Sequence, residues 1–425
     1  MTKTNGEADK NTFREIFEEH WEEFKRRYPR YNTSQYDDPV EKMKGCGRAE
    51  NGCAEYVCMH CGERVVVGFS CKSGFCLSCA KIYVERWVEY ISSQLFSGVK
   101  YRHVVLTVPK DLRIYFYKDK GLMGKLMVVG HKMMEDAISG YFGDDVEIGS
   151  IVVAQTAGRN GEWNPHLHII MTSGGLTRGK KRKWRELKYM PYEILHKKWE
   201  YYLLRMIKEE VGTQEAKVRI NKMWKKYPNG LVAYIEKGEV PEGGKGLARY
   251  LAKYVVSPPI AVSRLIDYSE GEVEYWWRDH RSHKREQARI GVMRFIGRMV
   301  QHILPKGFQR IRYYGLHGTC KAGKVRELLA GLVKGAKEAV KGTYEVVAEK
   351  RYRDRIKEAF GIDPLRCKKC GTEMDLAQIW HPKYGVIYDG WKELIVDEPE
   401  KETVRGRAVR GRDDDVSLQM QFVWA

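Results

Sequence analysis

Nowhere in these 425 residues does an apolar run approach the roughly 20 that a bilayer-crossing helix requires, which argues against a membrane-spanning protein. The opening MTKTNGEADK has no apolar stretch of the kind a secretory leader carries, so the expected compartment is the cytoplasm. A reducing compartment disfavours a disulfide framework, and the ten cysteines read as metal ligands instead. Acidic residues are in deficit: 56 Asp and Glu stand against 75 Lys and Arg, a formal net charge of +19 with a pI of about 9.3. Such an excess points to a polyanionic partner, most simply nucleic acid. No internal repeat is present. Apolar residues make up 43% of the chain, enough for cores in two or more folded units.

Pattern divides the chain into four regions. Residues 1–40 hold a polar helical arm, TFREIFEEHWEEFKRRY, whose apolar residues recur at helical spacing. Residues 41–95 crowd seven cysteines between Cys46 and Cys79 and end in an amphipathic exit helix, KIYVERWVEYISSQLF. Residues 96–320 set short β-branched strands (RHVVLTV, IGSIVVAQT, LVAYIEK) among helices such as LHKKWEYYLLRMIKEEV. This is the pattern of an α+β domain with a mostly antiparallel sheet. A basic helical insertion occupies about 177–230, and IAVSRLIDY with EVEYWWRDH forms a hairpin around Gly271. Residues 321–425 are basic and helical and carry an isolated CxxC, Cys367 with Cys370.

The densest chemical signal is the cysteine cluster. Two CxxC knuckles, Cys58 with Cys61 and Cys76 with Cys79, supply the four thiolates of a tetrahedral zinc site. Cys46, Cys53 and Cys71 remain, and with His60 they offer a second site, so one or two structural Zn²⁺ ions are expected. Such a site folds a small module that cannot build its own core. The pair Cys367 and Cys370 lacks two ligands; His317, Cys320 and His381 are candidates, and a vestigial knuckle is the simpler reading.

A second signal is NPHLHIIMTS, a strand whose alternation projects His166 and His168 from one face, close enough to share an ion. Chance yields roughly 0.3 HxH patterns in a chain with 12 histidines, so the motif proves little alone. Its setting adds weight, because two imidazoles in an apolar strand are costly to bury unpartnered. Downstream, in GLARYLAKYVV, Tyr250 and Tyr254 fall four apart on one helix face with Lys253 beside the second. A phenol is a poor nucleophile near neutral pH, but a metal that polarises a phosphodiester permits its attack. The segment Arg178 to Trp184 and the helix after it bring cations, Lys181 and Arg182 among them, beside Trp184, Trp199, Tyr201 and Tyr202, a composition suited to single-stranded DNA.

Several motifs in order, SCKSGFCLSC, RHVVLTVP, WNPHLHI, ARYLAKYV and HILPKGFQRIRYYGL, resemble the two-tyrosine HUH transposases of rolling-circle insertion sequences, the insertion-sequence-ninety-one-like family. The resemblance covers most of the chain. It implies an HUH nuclease domain on an antiparallel sheet, with an N-terminal cysteine-rich zinc module and a helical C-terminal tail. It further implies His166 and His168 as ligands of a catalytic Mg²⁺ or Mn²⁺, with Gln155 the candidate third ligand. Tyr250 and Tyr254 would be the nucleophiles that become linked to a DNA 5′ phosphate, and Arg264, Arg310 and Arg312 would contact DNA. The implied partners are single-stranded DNA of element ends, target DNA and host replication proteins; oligomeric state is left open. The family often has a histidine where this chain has Phe75, and another near Cys53, so the second zinc site is rewired or absent. A rolling-circle plasmid replication initiator and a non-catalytic zinc-dependent DNA-binding protein are the alternatives.

Overall fold

The structure is a computed structural model that describes residues 11–189, 192–235, 259–279, 282–332, 353, 363 and 365–391. Tyr250, Lys253 and Tyr254 lie outside the described residues. The fold is α+β, and the chain divides into two compact units, Met1–Lys44 with Lys72–Ile362 and Gly45–Cys71 with Asp363–Ala425.

The larger unit is built on a five-stranded antiparallel sheet of β3 (Tyr101–Thr107), β5 (Gly149–Ala157), β6 (Trp163–Thr172), β9 (Ala233–Ile235) and β13 (Ile311–Gly315), in the order β13-β5-β6-β3-β9. Its described helices are α1 (Thr12–Arg27), α2 (Ser34–Lys44), α3 (Leu77–Gln94), α4 (Arg113–Lys118), α5 (Leu122–Phe142), α6 (Tyr192–Val211), α7 (Gln214–Lys226), α8 (Val292–Val300) and α9 (Ala322–Leu332). Two small antiparallel sheets complete it: β4 (Val146–Glu147), β7 (Gly174–Thr177) and β8 (Trp184–Glu186), and β10 (Leu265–Ser269), β11 (Glu272–Arg278) and β12 (Arg285–Gly291). The turn from β10 to β11 places Glu270 and Gly271 both at positive φ, the conformation that a tight hairpin needs.

Helices cover the central sheet on both faces, which is why β6 reads as a nearly continuous apolar run. Leu167, Ile169 and Met171 share a core with residues of α5 and α6, including Met127, Met134, Leu203 and Ile207. Ile170, with Ile151 and Val153 of β5, packs with Val88 and Ile91 of α3. At Gly130 of α5 a Cβ would lie 2.6 Å from Leu167 Cδ1, so a larger residue there would force the Leu167 side chain to shift. Trp199 of α6 is fully buried and donates from Nε1 to the Thr107 carbonyl at 2.8 Å, which makes it a core residue. The apolar stripe of α1 (Phe13, Phe17, Trp21 and Phe24) is buried too, with Phe13 6.3 Å from Phe295 of α8.

The smaller unit is a four-stranded antiparallel sheet in which β1 (Cys53–Val57) and β2 (Arg64–Gly68) are joined by β14 (Asp375–His381) and β15 (Gly385–Asp389), in the order β15-β14-β1-β2. Cys58, Cys367 and Met374 are its buried apolar cluster, a core too small to fold a module unaided.

Candidate catalytic and metal sites

Register places the histidine pair. On β6, His166 lies opposite Gln155 of β5 and Thr107 of β3, and His168 lies opposite Val153 and Val105. Opposed residues share a face, so His166, His168 and Gln155 project together, on the side covered by α3. The two imidazole centroids are 4.9 Å apart. His166 Nδ1 is 2.6 Å from the Asn164 carbonyl, which fixes a proton on Nδ1 and leaves a lone pair on Nε2. His168 Nδ1 is 3.0 Å from Nε2 of His103, a buried residue of β3 whose ring stacks on it at 5.2 Å. With the shared proton on His168, its Nε2 also becomes a lone pair. Burial pushes the His166 pKa down to about 4 and holds His168 well below the usual range, so both rings are neutral at pH 7, the form that ligates metal. Gln155 is buried and accepts through Oε1 from the Thr156 amide at 3.0 Å. The sequence reading missed His103. Its signal is the alternation in RHVVLTV, which puts a third imidazole on the same face.

The cysteines are grouped differently from the expectation. Cys58 and Cys61 do not share a site with Cys76 and Cys79; their partners are Cys367 and Cys370, all four sulfurs lying within 4.8 Å of one another. Cys58 and Cys370 approach to 3.4 Å across 312 residues of sequence, and Cys61 and Cys367 to 3.5 Å. The isolated knuckle is therefore half of a four-thiolate cluster and not vestigial, and His317, Cys320 and His381 are not needed to complete it. The physical reason is in the turns. CMHCG and CKKCG each end in a glycine at positive φ, Gly62 at 72° and Gly371 at 78°, whose amide donates back to the carbonyl of the first cysteine at 2.8 and 2.9 Å. CLSC has no such glycine, and Cys76 and Cys79 instead open α3, both buried. Thr372, through its side chain and backbone, draws the Cys370 thiol down to about 5. Neither Cys53, in β1, nor His60, exposed at the knuckle tip, joins a cluster of potential ligands among the described residues. Cys46 accepts at its sulfur from the Cys71 amide at 3.3 Å. His317 is a core residue, stacked on Phe96 at 4.3 Å and 3.1 Å from the Tyr101 hydroxyl.

The expected DNA-contacting cations are dispersed. Lys181 and Arg182 are exposed between β7 and β8. Arg264 donates to the Arg159 carbonyl at 3.2 Å, and Arg310 to the His302 carbonyl at 3.0 Å. Arg312 donates to the Gly124 carbonyl at 3.4 Å and lies over Phe308.

A family model described as "Putative transposase" matches residues 149–324, and one described as "Transposase zinc-binding domain" matches residues 16–108. The chain belongs to the insertion-sequence-ninety-one family of transposases. Among its relatives is the transposase for insertion sequence element IS801 of Pseudomonas savastanoi pv. phaseolicola, 26% identical over 350 residues, 79% of this chain and 82% of that one. Another is the "Putative transposase y4qJ" of Sinorhizobium fredii (strain NBRC 101917 / NGR234), 25% identical over 375 residues, 84% of this chain and 92% of that one. No solved structure matches. In this transposase the "Putative transposase" match contains Gln155, His166, His168, Tyr250 and Tyr254, and the zinc-binding match contains Cys46 through Cys79. Among the described residues no helix is long and apolar enough to cross a membrane.

Proposed function

We propose that this transposase nicks single-stranded DNA at the ends of a mobile element and transfers the strand to a target through a 5′-phosphotyrosine. The observation that carries the reading is the pair of neutral, same-face imidazoles on the central strand of a transposase, each with its Nδ1 engaged so that Nε2 is left to bind. That donor set fits a divalent cation with open positions. His166 and His168 would hold Mg²⁺ or Mn²⁺, with Gln155 as third ligand through its amide oxygen. A cation there would polarise the scissile phosphate and offset the charge that develops on it. The phenol of Tyr250 or Tyr254 attacks phosphorus, the bond to the 3′ oxygen breaks, and a free 3′ hydroxyl leaves. One phosphoester replaces another, so no ATP is consumed.

A structural Zn²⁺ ion is proposed within the smaller unit, held by Cys58, Cys61, Cys367 and Cys370. The domain reading keeps residues 96–320 as an HUH nuclease domain, with Arg264, Arg310, Arg312, Lys181, Arg182 and Lys253 as its contacts to DNA.

The test is incubation with single-stranded element-end DNA and Mg²⁺ or Mn²⁺. A detergent-resistant protein–DNA adduct is expected, and it should vanish when Tyr250→Phe and Tyr254→Phe are combined. Absence of any adduct from the wild-type protein would overturn the enzymatic reading. Persistence of the adduct in the double variant would overturn the choice of nucleophiles.

A further inference from the structure

We infer that a pocket between α1 and α8 captures one unpaired nucleotide of the DNA strand beside the nick. The inference rests on the reading of the protein as a single-strand nicking transposase and names a subsite for that substrate. The pocket has a volume of about 510 Å³, within the roughly 300–1,000 Å³ of small-ligand sites. Aromatic rings make its walls, among them Phe24, Tyr28, Tyr31, Tyr117 and Trp163. Guanidinium groups stand at Arg30, Arg294 and Arg298, against a single lining carboxylate, Glu162.

The cations are not equivalent. Arg298 is committed, donating to the Tyr275 hydroxyl and pairing with Glu162 at 3.6 Å. Arg30 lies flat on the wall, 4.7 Å from the Tyr31 ring centre and 5.7 Å from that of Tyr117. Arg294 is exposed and, among the described residues, has no hydrogen-bond or ion-pair partner, so it is available to a phosphate. Behind the pocket Lys120 is buried, its ammonium 5.9 Å from the Trp163 ring centre, donating to the Ile303 carbonyl at 2.6 Å and to the Tyr36 hydroxyl at 3.1 Å with no carboxylate paired to it among the described residues. Burial, with Arg310 and Arg30 adding to it, pulls the Lys120 pKa down to about 7. Rings for a base to stack on and the exposed Arg294 guanidinium at the rim meet the two chemical faces of a nucleotide.

Trp163 opens β6 three residues before His166, roughly 10 Å along the strand, and its ring packs with the Leu167 face of the sheet, so a DNA strand that reaches both the pocket and the histidine pair passes round the end of β6. Trp163 is braced from behind by His302, stacked on it at 5.8 Å.

Gly297 makes the pocket testable without removing a charge or a ring. A Cβ built on it meets only Phe24 ring atoms, at 3.7 and 3.8 Å, which is ordinary contact, so Gly297→Met is accommodated by the helix while its longer side chain fills the pocket. The probe is an element-end oligonucleotide carrying 2-aminopurine at one position at a time, read by fluorescence in EDTA. In the wild type one position near the nick should change strongly, because only a base drawn into the pocket restacks on protein rings. Gly297→Met should abolish that change and weaken binding about 10-fold with an unaltered melting temperature. Arg294→Ala should weaken binding with a salt dependence shallower by about one ion. A wild type with no distinctive position, or Gly297→Met with the wild-type profile and affinity, overturns the inference. Wild-type adduct formation is measured separately: an aminopurine signal without adduct keeps the pocket and sinks the phosphotyrosine reading, and adduct without the signal does the reverse.

Discussion

Replacing Cys367 by serine tests the thiolate cluster that unites the two distant parts of the smaller unit. Cys367 is 3% exposed, and its sulfur lies 3.5 Å from that of Cys61, so serine substitutes a weak, hard ligand inside a closed set. Val57, Cys58, Cys367, Met374 and Ala377 are the buried apolar side chains among this unit's described residues, and only Val57 and Met374 are of the size whose burial is worth about 1.5–3 kcal/mol each. A structural zinc site contributes on the order of 10–16 kcal/mol, which exceeds that core, so loss of the ion should release β14 and β15 from β1 rather than loosen them slightly. Metal analysis by atomic emission should find one zinc fewer per chain in Cys367→Ser. Limited proteolysis with peptide mapping should show new cuts between residues 365 and 391, a segment protected in the wild type. Cys53→Ser, which removes a thiol outside the cluster, should change neither result. Full zinc content in Cys367→Ser, or an equal loss in Cys53→Ser, would refute the grouping.

Two further outcomes follow from buried imidazoles. His103→Leu removes the partner that sets the His168 tautomer, and nicking should then require a metal concentration about 10- to 100-fold higher; an unchanged metal titration would show that His103 has no such part. Burial lowers the pKa of His131 to about 4 and those of His302 and His317 to about 3, all below an ordinary value near 6.5. The unfolded chain therefore binds more protons below that value, so this contribution to stability is complete above about pH 6.5 and is lost as pH falls toward 4, by up to about 4 kcal/mol per pH unit for the three together. Urea unfolding at pH 7, 6 and 5 measures it, and a flat profile would contradict the burial argument.

Much of the larger unit was legible in the sequence because local pattern and tertiary role agree there. The alternation of NPHLHIIMTS sets His166 and His168 on one face whatever the neighbours are, and α6 follows from the spacing of Leu195, Trp199, Leu203 and Ile207. The same spacing could not separate a stacking tryptophan from a core one, since burial of Trp199 depends on the Thr107 carbonyl of another element. The cysteine pairing was hidden for a different reason. Nearness in sequence favoured Cys76 and Cys79 as partners of Cys58 and Cys61, whereas pairing of β1 with β14 brings in residues from the far end of the chain. The clue was local after all: matched glycines at Gly62 and Gly371 mark two knuckles of one kind. Nothing in residue order announced the ring-lined pocket, because α1, α4, β6 and α8 each supply only a few of its side chains.

Peptide mapping of the protein–DNA adduct tests the central claim most directly. After nicking of a short single-stranded substrate and proteolysis, mass spectrometry should find a nucleotide attached to the phenolic oxygen of Tyr250 or Tyr254, and His166→Ala with His168→Ala should remove that peptide. A nucleotide attached to any other residue, or an adduct undiminished without the two imidazoles, would contradict the account.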